Sequence, residues 1–272
     1  MVDRYAVIGN PIAHSKSPQI HAAFAKQTGQ NISYEAVLAP IDGFAATVKS
    51  LIAQGYKGAN VTVPFKFEAY ALCDSLSKRA FAAGAVNTLT FANSRINGDN
   101  TDGAGLINDI SWNLGASLKG TRILLLGAGG AAQGVLLSLL NEQPASITIA
   151  NRSLEKAHFM VQKIAAINAV CNITISNYDN LPSEFDVIIN ATSTGLSDTA
   201  LPIADSIFAK NCLAYDMMYG RQTPFMAQAR AAGALVADGL GMLAEQAAEA
   251  FCIWRGVRPE TASVIKMMRN LK

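Results

Sequence analysis

Residues Thr121 to Ser153 read TRILLLGAGGAAQGVLLSLLNEQPASITIANRS, and the rest of the chain is interpreted outward from them. Ile123 to Leu126 is a short, fully apolar run next to glycine, the pattern of a strand buried on both faces. Gly127-Ala128-Gly129-Gly130-Ala131-Ala132 follows and fits G-x-G-x-x-A. The Ala- and Leu-rich residues after it predict a helix ending near Pro144, and Ser146 to Ala150 predicts a second strand. Strand, glycine turn, helix and strand form the context that a dinucleotide fingerprint requires. Gly127 permits the tight turn, Gly129 lets the backbone approach a pyrophosphate, and Ala132 allows close helix–strand packing. The free N–H groups at the helix start, aligned with its dipole, then face an anion.

The end of the second strand refines this reading. An NAD site places Asp or Glu there, about 20 residues past the glycines, for the ribose 2′-hydroxyl. Here the residues are Asn151, Arg152 and Ser153, with Lys156 one helical turn beyond Arg152. A guanidinium grips a phosphate with two charge-assisted bonds, where a carboxylate would repel it. Cations in a first helical turn oppose the dipole, so an anionic ligand is the better reason for them. The expected cofactor is NADP.

Composition bounds the remainder. The chain has 272 residues, half of them hydrophobic and 15% charged, enough for two domains with large cores. A net charge of +2 without a Lys/Arg block argues against nucleic acid as a partner. Cys73, Cys171, Cys212 and Cys252 are scattered, as in a reducing compartment, and the three histidines have no metal-ligand spacing. No metal is expected. MVDRYAVIGNP enters a strand at once and no apolar run reaches membrane-span length, so a soluble, cytoplasmic protein is expected.

Ahead of the glycine loop, strands are expected at Arg4–Gly9, Ile32–Leu38 and Lys57–Val63. Helices are expected from Pro18 to about Thr28, from Asp42 to Gln54, and from Pro64. Ser17 is the expected N-cap of the first helix. Two short strands, Ala85–Phe91 and Arg95–Asn97, are joined by an Asn93-Ser94 turn. Alternation of strands and helices implies an α/β layer with a mostly parallel sheet. The polar run Gly98–Gly103 leads into a helix and marks the domain junction. Later strands are expected at Phe185–Asn190 and Leu213–Asp216. The tail from Gly241 reads as helical, broken near Gly256–Pro259, and packs back on the first domain.

Ligands of open parallel sheets bind beyond the carboxyl ends of strands. Ser15 and Ser17, the segment Asn60–Lys66 with Thr62, and Asn87-Thr88 stand at such ends. Taken singly, each reads as a cap, a good strand residue or a turn tie. Lys66 does not fit so plain a reading. It falls in the first turn of its helix, where the dipole disfavours a cation and favours release of a proton. Asp102 sits just before a helix, where a simple cap is the ordinary role. Beside Lys66 it would instead orient a proton donor.

Together these residues resemble the shikimate/quinate dehydrogenase family, shikimate dehydrogenase in particular, over essentially the whole chain. The motifs that carry the likeness are Ser15-Lys16-Ser17-Pro18, NVTVPFK at 60–66, GAVNT at 84–88, GDNTDG at 98–103 and GAGGA at 127–131. NRS at 151–153, NATSTG at 190–195, DMMY at 216–219 and DGLGMLAEQA at 238–247 complete them. The resemblance implies reversible NADPH-dependent reduction of 3-dehydroshikimate to shikimate, on the route to chorismate and aromatic amino acids. It implies a substrate domain of residues 1–102 completed by 239–272, and a Rossmann NADP domain of residues 103–238. Ser15 and Ser17 would bind the substrate carboxylate, with Tyr219 closing near it. Thr62, Asn87, Asp102 and Gln246 would hold the ring hydroxyls, and Lys66 with Asp102 would form the catalytic pair. Gly127, Ala128, Gly129, Gly130 and Ala131 would bind pyrophosphate, and Asn151, Arg152, Ser153 and Lys156 the 2′-phosphate. Thr192, Met217, Gly239 and Met242 would line the nicotinamide side. Ser153 and Lys156 stand where Thr and Arg are frequent in the family, which softens NADP preference. Thr194-Gly195-Leu196 replaces a common Gly-Met pair. The alternatives are a quinate/shikimate dehydrogenase of relaxed cofactor use and a catalytically silent NADPH-binding regulator. Monomer and homodimer both occur in the family.

Overall fold

The computed structural model describes residues 2–165, 172–182, 184–194 and 199–270. The chain divides into two compact units, Met1–Gly105 with Leu243–Lys272, and Leu106–Met242.

The first unit is built on β1 (Asp3–Gly9), α1 (Ser17–Thr28), β2 (Ile32–Leu38), α2 (Phe44–Ala53) and β3 (Tyr56–Val61). It continues with α3 (Lys66–Leu72), β4 (Ser75–Leu76), α4 (Lys78–Ala83), β5 (Thr88–Ala92) and β6 (Arg95–Asp99). The strands form one sheet in the order β2-β1-β3-β5-β6-β4. Three of its pairings are parallel, as expected, while β5 runs antiparallel to both β3 and β6. The β5–β6 hairpin turns on Asn93 and Ser94, both at positive φ, the backbone that two-residue hairpins need. Buried Ile8, Phe44, Val48, Val61, Phe65 and Leu89 form the core on one face of this sheet. On the other face lies an aromatic group containing His21, Phe24, Tyr34, Phe251 and Trp254.

Three expectations need correction here. Ser17 is the first residue of α1, not its cap, because Lys16 occupies the cap position and no side chain caps the helix. Pro64 precedes α3, whose cap is Phe65, so Lys66 is its first helical residue and not its third. The run after Cys73 carries no element in the sequence reading but holds β4 and α4. Ser77 is the signal there, its hydroxyl accepting from the Ala80 N–H at 3.1 Å.

The second unit follows α5 (Asp102–Asn108), which continues into a π-helical turn, Asp109–Asn113. It holds β7 (Arg122–Leu126), α6 (Gly130–Asn141), β8 (Ser146–Ala150), α7 (Leu154–Ala165) and β9 (Ile173–Ser176). Then come β10 (Phe185–Asn190), β11 (Phe208–Asp216), α8 (Pro224–Ala231) and β12 (Leu235–Asp238). The sheet order β12-β11-β10-β7-β8-β9, parallel throughout, is that of a doubly wound dinucleotide fold. Ile123 to Leu126 have no exposure, which explains their unbroken apolar run. The tail is α9 (Leu240–Arg255) and α10 (Ala262–Asn270), and from Leu243 it belongs to the first unit. Trp254 Nε1 donates to Leu89 O at 3.1 Å, fixing α9 against β5. No helix among the described residues is long and apolar enough to cross a membrane.

Two outcomes follow from this packing. Leu125→Ala opens a void in a strand covered on both faces and lowers the unfolding free energy by about 2–5 kcal/mol, read by urea titration. His21 is fully buried against Tyr34, ring centroids 4.0 Å apart, and burial lowers its pKa to about 3, opposed by the nearby Asn60 side chain. The unfolded chain takes up this proton below about pH 6.5, whereas the folded chain resists it. Stability is therefore full above that pH and falls toward pH 3, by at most about 1.4 kcal/mol per pH unit from this group. In His21→Phe, which keeps an aromatic ring in place, the urea midpoint should fall less steeply from about pH 6.5 to 5 than in wild type.

Candidate functional site

In the first unit, the polar residues converge at one edge of the sheet. Register pairs Asn60 with Thr88 and Thr88 with Asp99, so the ends of β3 and β6 and the start of β5 lie side by side. Thr62 follows β3, Asn87 precedes β5, and Asp102 follows β6 at the head of α5. Lys66, opening α3, reaches the same edge. Its Nζ lies 2.5 Å from Asp102 Oδ2, with the two side chains 20% and 9% exposed.

Asp102 is held from several sides. Its Oδ1 accepts from Asn87 Nδ2 at 2.7 Å, and its backbone N–H donates to Asn100 Oδ1 at 3.1 Å. Asn87 is fixed in turn: its Oδ1 accepts from the Thr101 N–H at 2.9 Å and from the Thr88 hydroxyl at 2.8 Å. Behind it, Asn60 Nδ2 donates to Asn87 O at 3.1 Å, and Asn60 Oδ1 accepts from Tyr34 OH at 2.7 Å. Burial pushes the Tyr34 phenol well above its usual value, so it remains a donor. Gln246 on α9 approaches Thr101, 3.4 Å between its Oε1 and the threonine hydroxyl. Ser15 Oγ accepts from the Ser17 N–H at 3.3 Å, before α1. The Thr62 hydroxyl makes no hydrogen bond among the described residues and stays available to a ligand.

This edge is braced by ion pairs. Arg79 on α4 binds Asp99 at 2.7 Å and Glu249 at 2.9 Å. Arg258 binds Glu249 and the almost fully buried Glu245, each at 2.7 Å. Because Asp99 Oδ1 also accepts from the Asn100 N–H at 2.7 Å, the chain of charges ends on the turn that supports Asp102.

In the second unit, the register aligns Ala150, Leu126, Asn190, Asp216 and Asp238, placing five strand ends in one row. Each carries expected site residues: the glycine loop, Asn151–Ser153, Thr192, Met217 and Gly239. Gly127 adopts φ +106°, and a Cβ there would press on Ala191 and Thr192. A Cβ on Gly129 would meet nothing within 4 Å, so the loop faces open space. No side chain caps α6 and no acid stands in its first turn. The buried Gln133 Oε1 beside the loop has no partner, while its Nε2 donates to Ala128 O at 3.4 Å. Arg152 and Lys156 are exposed and form no ion pair among the described residues. Asn151 Nδ2 donates to Ser153 O at 2.7 Å, shaping the turn that presents Arg152. These features fit an anionic dinucleotide with a charged 2′ substituent: open backbone, unused N–H groups and unpaired cations. Tyr219 is half-buried, and burial pushes its phenol up. Met242 is buried at the start of α9. Gly195 and Leu196 lie outside the described residues.

The sequence motifs held supports that single-residue reading passed over. Tyr34, Asn100 and Thr101 back the first site, and Asn190 and Asp216 the second. For all but Tyr34, which sits inside β2, their signal was polar residues at strand ends, where an apolar core predicts none.

Comparison with known proteins agrees with both halves. The family model described as shikimate dehydrogenase substrate binding domain matches residues 7–89. Shikimate / quinate 5-dehydrogenase matches 110–199, and shikimate 5′-dehydrogenase C-terminal domain matches 239–269. A shikimate dehydrogenase (NADP(+)) of Methylobacillus flagellatus is 58% identical over 270 residues, covering 98% of this chain and 99% of that protein. Among solved structures, an Ael1 enzyme from Pseudomonas putida is 45% identical with a TM-score of 0.93, 97% of each chain being covered. The shikimate 5-dehydrogenase of Thermus thermophilus, solved with NADP(H) and shikimate, is 32% identical with a TM-score of 0.88 and 99% coverage of each chain. The motifs, the two sheets and these relatives agree, and the chain belongs to the shikimate dehydrogenase family.

Proposed function

We propose that this protein catalyses the reversible NADPH-dependent reduction of 3-dehydroshikimate to shikimate, as a cytoplasmic enzyme of the route to chorismate. The observation that carries the reading is the Lys66–Asp102 pair, 2.5 Å apart at a polar strand edge and fixed by Asn87. Residues 1–102 with 239–272 bind the substrate in this reading, and residues 103–238 bind the nucleotide.

The chemistry supplied by bound NADPH is a hydride to the carbonyl carbon. The protein's task is to orient the ketone and to neutralise the charge that develops on its oxygen. Lys66 acts as the general acid, giving a proton from Nζ to that oxygen and taking one from the hydroxyl in the reverse direction. Asp102 holds the ammonium in place through one of its three N–H donors, leaving the others free to meet substrate. Thr62, Asn87 and Gln246 hold the ring hydroxyls, since hydroxyl and amide groups both donate and accept, and Asp102 holds one as an acceptor. Ser15 and Ser17 take the carboxylate, assisted by Tyr219.

On the nucleotide, the backbone of Gly127, Ala128, Gly129, Gly130 and Ala131 meets the pyrophosphate. Asn151, Arg152, Ser153 and Lys156 bind the 2′-phosphate, the two cations supplying the charge. Thr192, Met217, Gly239 and Met242 line the nicotinamide. The absence of an acidic residue at this strand end supports NADP over NAD.

Lys66→Ala should lower kcat by about 10²–10⁴-fold while KM for shikimate changes little, measured as shikimate-dependent NADP reduction. Near-normal turnover would remove Lys66 from the proton step. Arg152→Ala should raise KM for NADP by about tenfold to a hundredfold and leave KM for NAD unchanged. An equal loss with both nucleotides would show that Arg152 does not read the 2′-phosphate.

A further inference from the structure

Asn190 and Asp216 have no role in the reading above, yet the segments bearing three of its nicotinamide residues are tied to them. Asn190 ends β10 and Asp216 ends β11, and they are paired in register. Both are buried, at 1% and 0% exposure. Asn190 Nδ2 donates to Asp216 Oδ2 at 3.2 Å. Asn190 Oδ1 accepts from Thr192 twice, from the N–H at 3.1 Å and from the hydroxyl at 2.7 Å. The Asn190 carbonyl accepts from the Met217 N–H at 3.0 Å. Asp216 Oδ1 accepts from the Met218 N–H at 2.9 Å, and Oδ2 from the Thr223 hydroxyl at 2.5 Å. Met218 O then accepts from the Gly239 N–H at 2.9 Å, and a Cβ on Gly239 would collide with the Met217 backbone.

No Lys or Arg pairs with Asp216 among the described residues. A buried carboxylate without a cation is costly unless several donors satisfy it, and an apolar pair would give stability more simply. The donors here come from the end of β10 and from both ends of the loop between β11 and α8, so what the carboxylate secures is their mutual placement.

We propose that Asn190 and Asp216 are positioning residues that hold Thr192, Met217 and Gly239 in one fixed array against the reactive ring of the nucleotide. The inference rests on the reading of this chain as an NADP-dependent dehydrogenase. Nucleotide affinity resides elsewhere, in the glycine loop and Arg152. Loosening the array therefore changes the presentation of the ring and not the strength of binding.

Asp216→Asn leaves one acceptor oxygen in place of two: keeping the Met218 N–H turns its NH2 toward that of Asn190 and breaks the bridge, and the flipped amide gives up Met218 instead. It should lower kcat by about tenfold to a hundredfold, the scale of a displacement of about 1 Å. NADPH titrated without substrate should bind with a near wild-type Kd, but the emission of the bound nicotinamide should move toward that of the free nucleotide. The exchanged pair Asn190→Asp with Asp216→Asn again sets one donor against one acceptor and should restore both emission and kcat. If Asp216→Asn does not fold, Asn190→Ala removes the same bridge and should show the same split. Wild-type emission from the bound state in the single variant, or a low kcat that persists in the exchanged pair, overturns the inference. The emission is independent of which alcohol is oxidised. Wild-type protein that binds NADPH but does not oxidise shikimate therefore overturns the proposed function alone.

Discussion

An ammonium and a carboxylate lie 2.5 Å apart at a largely buried sheet edge, and the first unit is arranged around keeping them there. Removing both charges from water costs several kcal/mol each unless every remaining lone pair and proton is matched. Asp102 meets that condition through Lys66 and Asn87, while its own backbone N–H is taken by Asn100. Lys66 is bonded on one side only. The carboxylate is rigid and the amine retains free donors, which is the asymmetry a proton-transferring pair needs.

Rigidity at Asp102 reaches far into the unit. Asn100 is bound by Asp99, Asp99 by Arg79, Arg79 by Glu249, and Glu249 by Arg258 beyond α9. Helix α9 thus braces a turn more than a hundred residues earlier in the chain. Isolated exposed pairs contribute little, but linked pairs that share partly buried partners constrain one another's geometry. This bracing gives a physical reason for the tail from Leu243 to belong to the first unit.

The apolar half of the fold was legible in the sequence: the run Ile123–Leu126, the glycine loop and the hairpin at Asn93-Ser94 each carry a local signal. The helix starts were less so. Ser17 looks like a cap, but the backbone enters α1 one residue earlier and Lys16 takes the position. Pro64 looks like a first helical residue, but the turn it begins carries Phe65 to the cap. Lys66 stands out in sequence as a misplaced cation, yet its partner lies 36 residues away, and only the pairing of β3, β5 and β6 brings them together. The same holds for Arg79 and Glu249, whose separation of 170 residues leaves no periodic trace.

Both units solve one problem in the same way. In each, a buried asparagine beside a strand end donates to a buried carboxylate and accepts from a threonine on a strand-end loop. Asn87 does so with Asp102 and Thr101, and Asn190 with Asp216 and Thr192. An amide suits the task because it is donor and acceptor at fixed geometry, whereas a carboxylate only accepts and an ammonium only donates. Each such bond left unmade costs about 1–3 kcal/mol, so an apolar or a wrongly oriented polar residue there is penalised twice, in stability and in the aim of the loop. Elsewhere in these sheets any well-fitting apolar side chain can fill a position. At the strand ends the chemistry dictates the residue, and so the polar residues of NVTVPFK, GAVNT, GDNTDG and DMMY lie there.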